Sequence, residues 1–257
     1  MKGVCAMSGH SHWANIKHQK KKEDRRRGKL FTKLVREISM AARHGGGDPE
    51  FNIQLRLAVD RAKSANMPKE NIERAIKRGT GELEGVDLEE IVYEGYAPSG
   101  IAFLVHTVTD NRNRTASELR NAFSGRGGSM AEAGAVMWQF DRKGYIAIAS
   151  DGLDEEVVFE IAVEAGADDV EFEDDLIQIY VEPSRFADVQ RALEQAGIPS
   201  EDARLTMVPK QRMELADDKT LDVLRLIDAL EDMDDVQEVH CNLEISDEIM
   251  SKYEEEF

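Results

Sequence analysis

Apolar residues recur at three- and four-residue spacing through Leu30, Phe31, Leu34, Val35, Ile38, Ala41 and Ala42, which predicts an amphipathic helix from about Asp24 to Arg43. Gly45, Gly46 and Gly47 end it. Asp48 followed by Pro49 then reads as the cap and first position of a second helix, with Phe51, Leu55, Ala58, Val59 and Ala62 inward. Met67-Pro68 breaks that helix. A third, short one follows with Ile72, Ala75 and Ile76 inward, and Gly79 and Gly81 close it. Three helices joined by short loops predict a small bundle.

After Gly85 the period changes. The runs IVYEGY and IAFLVHTVTD are β-branched and apolar and read as strands about the turn Ala97-Pro98-Ser99-Gly100. A helix is predicted from Thr115 to Phe123. A hairpin is predicted from Val136–Phe140 and Tyr145–Ala149, turning at Arg142-Lys143-Gly144. Then come a helix (Glu155 to Ala165), two strands (Val170 to Glu173 and Leu176 to Val181), a helix (Ser184 to Ala196) and a strand (Arg204 to Val208). Counted from the strand at Tyr145, this is the β-α-β-β-α-β order of a ferredoxin-like unit. A helix from Thr220 to Met233 and a strand from Val236 to Ile245 remain, and they find partners only by returning to the strands at 90–109. The predicted fold is α+β: an N-terminal three-helix bundle followed by two α/β domains, one ferredoxin-like and inserted into the other. Its boundaries fall at 1–23 (a basic flexible segment), 24–86 (the helices), 87–140 with 209–247 (the discontinuous α/β domain), 141–208 (the inserted unit) and 248–257 (an acidic tail).

Charge changes the picture most. Residues 1–86 carry 19 Lys and Arg against 10 Asp and Glu, whereas the remainder carries 14 against 41. From Lys17 to Arg43 eleven cations stand among three acids. A chain acidic overall that keeps one basic end is built to touch a polyanion with that end, the bland alternative being a solvated tail. The acidic bulk argues against adsorption along DNA over a broad face. The other bounds are simpler. No stretch of eighteen apolar residues suggests a membrane span, MKGVCAM lacks the apolar core of a secretory signal, and Cys5 and Cys241 make no disulfide framework. The chain reads as cytoplasmic.

Candidate chemistry is sparse. His10, His12 and His18 lie near Cys5 but lack the paired-cysteine spacing of a zinc site, so no metal is expected. There is no GxSxG, no HExxH, and Ser124-Gly125-Arg126-Gly127-Gly128-Ser129 lacks the Lys-Ser/Thr ending of a phosphate loop. No enzyme activity, cofactor or small-molecule substrate is expected. A nucleic-acid interface is. Trp13, Lys17, His18, Lys20, Lys21, Lys22, Arg25, Arg26, Arg27, Lys29, Lys33 and Arg36 form its basic part, with Trp13 either stacking on an unpaired base or packing back on the bundle. The connection Asp110 to Thr115 joins a strand to a helix. There Arg112 and Arg114 either hold phosphate or pair with the chain's own carboxylates, and Asn111 or Asn113 caps the helix. Arg126 sits in the glycine-rich turn, whose backbone offers a partner close access.

The segments GHSHWANIKHQKKK, FTKLVREISMAARHGGGDPE, ANMPKENIERAIKRGTGE, YEGYAPSGIAFLVHTVTDNRNRTASELRNAF and GAVMWQF resemble the YebC family from about Ser8 to Ile245. That family includes the bacterial PmpR-type regulators and the mitochondrial translational activator of cytochrome oxidase subunit one. The resemblance implies an N-terminal helical domain, two α/β domains and no enzymatic activity. It implies a DNA-binding transcriptional regulator or, as in other members, a factor acting in translation at the ribosome on difficult sequences. The sequence departs from the family's pattern in three places: MKGVCA precedes the usual start near Met7, Ala97 and Ser99 stand where glycine is frequent, and Lys20 to Arg27 is more basic. Three classes of function are therefore weighed: a nucleic-acid-binding regulator, an enzyme, and a protein-interaction scaffold. No element reads as a major-groove recognition helix, and a lysine-rich run holds backbone rather than bases. The residues alone thus lean toward ribosomal RNA and the resemblance toward DNA.

Overall fold

A computed structural model describes residues 27–173, 175–246, 249–250 and 252–253. Residues 140–210 form one compact unit, and the described residues from 27 to 139 and after 210 form another. None of the described helices is long and apolar enough to cross a membrane.

In the larger unit, α1 (Arg27–Gly45), α2 (Ile53–Ser64) and α3 (Lys69–Gly79) bury the predicted stripes. Leu34, Ile38, Leu55, Ala58, Ala62, Met67, Ile72 and Ala75 make a common core. α1 and α3 cross closely where Gly79 meets Ser39: a Cβ on Gly79 would lie 2.3 Å from the Ser39 carbonyl oxygen, and the Ser39 hydroxyl donates to the Ala75 carbonyl at 3.0 Å. The second helix differs from the sequence reading. Asp48 accepts the Glu50 amide at 2.9 Å and shapes the preceding turn. Asn52 is the cap, its Oδ1 accepting the Leu55 amide at 3.1 Å while its Nδ2 donates to the Ala41 and Gly46 carbonyls. Because the helix starts after it, Phe51 escapes the helical period and stands 86% exposed instead of inward.

Strands β1 (Glu89–Tyr96) and β2 (Ala102–Thr109) of this unit pair antiparallel from Glu89↔Thr109 to Tyr96↔Ala102. The turn between them holds Ser99 at φ 67°, left-handed backbone that glycine adopts without cost. α4 (Arg112–Ser124) leads to the short β3 (Ser129–Met130) against β1. α7 (Asp217–Glu231) packs on α4, and β8 (Val236–Cys241) pairs antiparallel with β2. The sheet order is therefore β3-β1-β2-β8. β8 stops at Cys241, and Leu243 makes an isolated parallel bridge with Met213.

Residues 140–210 form β4 (Phe140–Ala149), α5 (Glu155–Ala165), β5 (Asp169–Phe172), β6 (Leu176–Val181), α6 (Phe186–Gln195) and β7 (Asp202–Pro209), with sheet order β5-β6-β4-β7, all antiparallel. This is the ferredoxin-like arrangement that the element order predicts. The predicted hairpin is instead one ten-residue strand running straight through Arg142-Lys143-Gly144, while Val136 is buried ahead of a short 3-10 turn (Met137–Gln139). Gly144 is needed for space rather than for turning. A Cβ there would come within 2.3 Å of the Phe186 ring and 2.8 Å of Val181. Lys143 forms ion pairs with Asp168 and Glu182, which raise its pKa.

Candidate nucleic-acid interface

The cations of α1 sort by where their side chains end. Trp13, Lys17, His18, Lys20, Lys21, Lys22, Arg25 and Arg26 lie outside the described residues, and Arg27 is described only as the first residue of α1. Lys29 Nζ donates to the Asp232 carbonyl at 2.9 Å and Lys33 Nζ to the Glu231 carbonyl at 2.7 Å. The Arg36 guanidinium donates to the Asp234 carbonyl and pairs with Asp235 at 2.9 Å. Three cations expected to face phosphate therefore meet the C-terminal end of α7 or, for Arg36, the connection that follows it. The last carbonyls of a helix have no partner within it and carry the negative end of its dipole. On α3, exposed Arg74, Lys77 and Arg78 extend the basic surface beyond the predicted segment.

Asp235, 4% exposed, is the node of this region. Its carboxylate accepts from the Thr115 hydroxyl at 2.7 Å, Arg114 Nη2 at 2.8 Å and the Thr109 hydroxyl at 3.1 Å, besides the pair with Arg36. α1, β2, α4 and the start of β8 thus converge on one oxygen pair. Burial alone would raise its pKa. The hydrogen bonds from Arg114 and Thr115, the Arg36 charge and the Thr109 bond outweigh it and hold the group below the usual aspartate range.

The strand-to-helix connection at 110–115 resolves its two open readings differently for each arginine. Asn111 is the cap, accepting the Arg114 amide at 3.1 Å. The Arg114 guanidinium is held by Asp110 at 2.7 Å and Asp235 at 2.8 Å, so it meets the chain's own carboxylates. Arg112 is exposed beside Tyr93, whose hydroxyl donates to the Arg112 carbonyl at 3.3 Å. Burial raises the pKa of that hydroxyl against the lowering effect of the Arg112 cation. In the glycine-rich turn the amides of Gly125, Arg126, Gly127 and Gly128 donate to the carbonyls of Asn121, Phe123, Ser124 and Phe123. The turn's backbone closes α4 rather than opening to a partner, which leaves the exposed Arg126 side chain as its outward group.

One aromatic was missed by the sequence reading. Trp138 is 67% exposed, and its indole N–H donates to the Ala135 carbonyl at 3.0 Å, an oxygen that also accepts from the Tyr96 hydroxyl at 3.1 Å. The loop beneath is fastened by Glu94, a buried carboxylate that accepts the amides of Gly134 at 2.6 Å, Val136 at 2.5 Å and Met137 at 2.9 Å. Burial would raise the Glu94 pKa, but the three amides lower it below the usual range. The expected strand at 136–140 hid Trp138; Gly134, four residues before it, was the available signal for a loop. No group of three His, Cys, Asp or Glu suited to a metal occurs among the described residues, and burial pushes the Cys241 thiol up to about 11, so it stays protonated at neutral pH. His10, His12, His18 and Cys5 lie outside them.

These features define a class of protein: a helical bundle with a basic N-terminal approach, followed by antiparallel α/β units of strongly acidic composition. Family models described as the TACO1/YebC protein N-terminal domain and the TACO1/YebC second and third domain match residues 11–82 and 88–243. The chain belongs to the TACO1/YebC family. A relative from Geobacter sulfurreducens is 54% identical over 96% of this chain and 99% of its own length, and one from Thermotoga maritima is 53% identical over 96% and 100%. Both are named probable transcriptional regulatory proteins. The crystal structure of a conserved hypothetical protein from Aquifex aeolicus, 49% identical, superposes with a TM-score of 0.84 over 92% of this chain and 98% of that one.

Proposed function

We propose that this chain regulates gene expression by binding nucleic acid through its basic N-terminal segment, without catalysing a reaction and without a cofactor. The charge split carries this reading: 19 of the 33 Lys and Arg lie in the first 86 residues. Lys17 to Arg27 bind phosphates, exposed Arg112 and Arg126 add to them, and the rings of Trp13 and of exposed Trp138 each stack on unpaired bases. The names of the relatives favour DNA as the target. The engagement of Lys29, Lys33 and Arg36 by the end of α7 favours the second reading, ribosomal RNA and a role in translation. It engages three long cationic side chains of α1 that a major-groove reader would need free.

Two measurements test this. Neutralising Lys20, Lys21, Lys22, Arg25, Arg26 and Arg27 together lowers the slope of log affinity against log salt by about 0.7 to 0.9 for each phosphate that the variant no longer neutralises. An unchanged slope refutes the basic segment as the binding element. Competition among a promoter duplex, a random duplex and ribosomes at physiological salt then separates the two targets. Preference for the promoter by about a thousandfold over random DNA, with no competition from ribosomes, excludes the translational reading.

A further inference from the structure

α5 carries more apolar surface than its own core uses. Of its sequence EEVVFEIAVEA, Val158 and Ala162 are buried, while Phe159 is 45% and Val163 46% exposed. The two stand one turn apart on one flank of the helix. On the neighbouring β5, Phe172 is 39% exposed and its ring lies 6.5 Å from that of Phe159, so the three side chains continue one another. β5 is an edge strand, paired only with β6, so nothing within the sheet covers that side. The surroundings are predominantly acidic, although Arg185 reaches the Ala165 carbonyl and Lys143 pairs with Asp168. Residues 151–175 contain twelve Asp and Glu and no Lys or Arg, and Glu156 and Glu160 stand exposed on the same outer side of α5. Solvated helices of monomeric proteins keep such faces polar, and a contiguous apolar patch in a charged rim marks a binding surface.

We propose that the Phe159–Val163–Phe172 face is a docking surface for a basic amphipathic helix of a partner protein. Apolar side chains of that helix seat on the two rings, and its cations meet the acidic rim. Charge selects this occupant. A second copy of the chain would bring the same acidic rim against itself, and a nucleic acid would be repelled. Rings supply the affinity and charge the selectivity, the division usual at interfaces with aromatic anchors.

The test is calorimetric titration of the full chain with a synthetic helix of about 18 residues bearing leucines at i, i+3, i+4 and i+7 and lysines elsewhere. The expected result is one peptide per chain, binding weakened at least tenfold by F159S/F172S, and no comparable binding of a peptide whose leucines are replaced by serine. Circular dichroism of the double variant shows that it remains folded, as two substitutions on an exposed face allow. Equal binding by the double variant or by the serine peptide reduces the interaction to charge and overturns the proposal, as does no binding at all. If the intact chain binds only after Lys20, Lys21, Lys22, Arg25, Arg26 and Arg27 are neutralised, the chain's own basic segment is the occupant. If sedimentation shows a dimer that F159S/F172S dissociates, a second copy is. Either result refutes a partner helix.

Discussion

Replacing Asp235 with alanine removes the group on which four elements converge, and the structure allows the cost to be reasoned. Three donors, Arg114, Thr115 and Thr109, lose their acceptor, and Arg36 loses its counter-ion. The loss is less than additive because each keeps something. Arg114 retains Asp110, Arg36 retains the Asp234 carbonyl, and the Thr115 hydroxyl, freed from Asp235, can turn its proton to Thr109 at 2.8 Å. Breaking a buried charged cluster by removing one member costs about 3 to 5 kcal/mol, and the retained bonds place this case at the low end, about 3 kcal/mol. With a urea dependence of about 2 kcal/mol per molar, the midpoint falls by about 1.5 M. The assay is urea unfolding followed by helical circular dichroism. Asp235→Asn, which keeps the shape and one acceptor oxygen, falls by about half as much. The sign with pH follows from linkage. The folded-state pKa is depressed, so this carboxylate contributes its stability above the unfolded value of about 3.9 and loses it as pH falls through the lower folded value. The gap between the wild type and Asp235→Asn therefore closes as pH drops below about 4. A midpoint shift under about 0.3 M for the alanine variant, or a gap that does not change with pH, refutes the assignment of Asp235 as the node.

The two arginines of the 110–115 connection should separate. Arg112→Ala changes stability by less than about 0.5 kcal/mol, whereas Arg114→Ala costs about 1 to 3 kcal/mol by leaving Asp235 undercompensated. Thermal unfolding of both variants measures the difference, and equal melting temperatures would contradict it. Glu94→Gln weakens the hold on three amides and costs about 2 kcal/mol. Hydrogen exchange at Gly134, Val136 and Met137 should accelerate in that variant, and unchanged protection there would show that the loop is fixed by other means. Gly144→Ala forces a methyl into the Phe186 ring and costs about 1 to 3 kcal/mol, read as an earlier loss of the near-ultraviolet signal of Tyr145 and Tyr180 in urea. An unshifted transition would mean that Phe186 can move aside.

Much of this protein follows from sequence alone. The apolar stripes of α1 and α3, the alternation from helical to strand period after Gly85 and the β-α-β-β-α-β order are local patterns. Each is fixed by residues a few positions apart, so the architecture was legible. The basic end and acidic body are likewise sums over composition. Three errors share a cause. Asp48, Gly144 and Val136 each carry a local signal, for a cap, a turn and a strand, which residues distant in sequence override. Asn52 reaches back to Ala41, Phe186 fills the space beside Gly144, and Glu94 gathers the amides of 134–137. The partners of the charged groups were also beyond the sequence. Whether Arg36 and Arg114 face phosphate or Asp235 depends on helices and strands far apart in the chain being brought together, and charge carries no information on where its complement lies. Tertiary packing therefore decided which cations are structural, that Trp138 is exposed, and that Phe159 and Phe172 meet on an open face. Each of these is a statement about neighbours, and neighbours are set only when the whole chain folds.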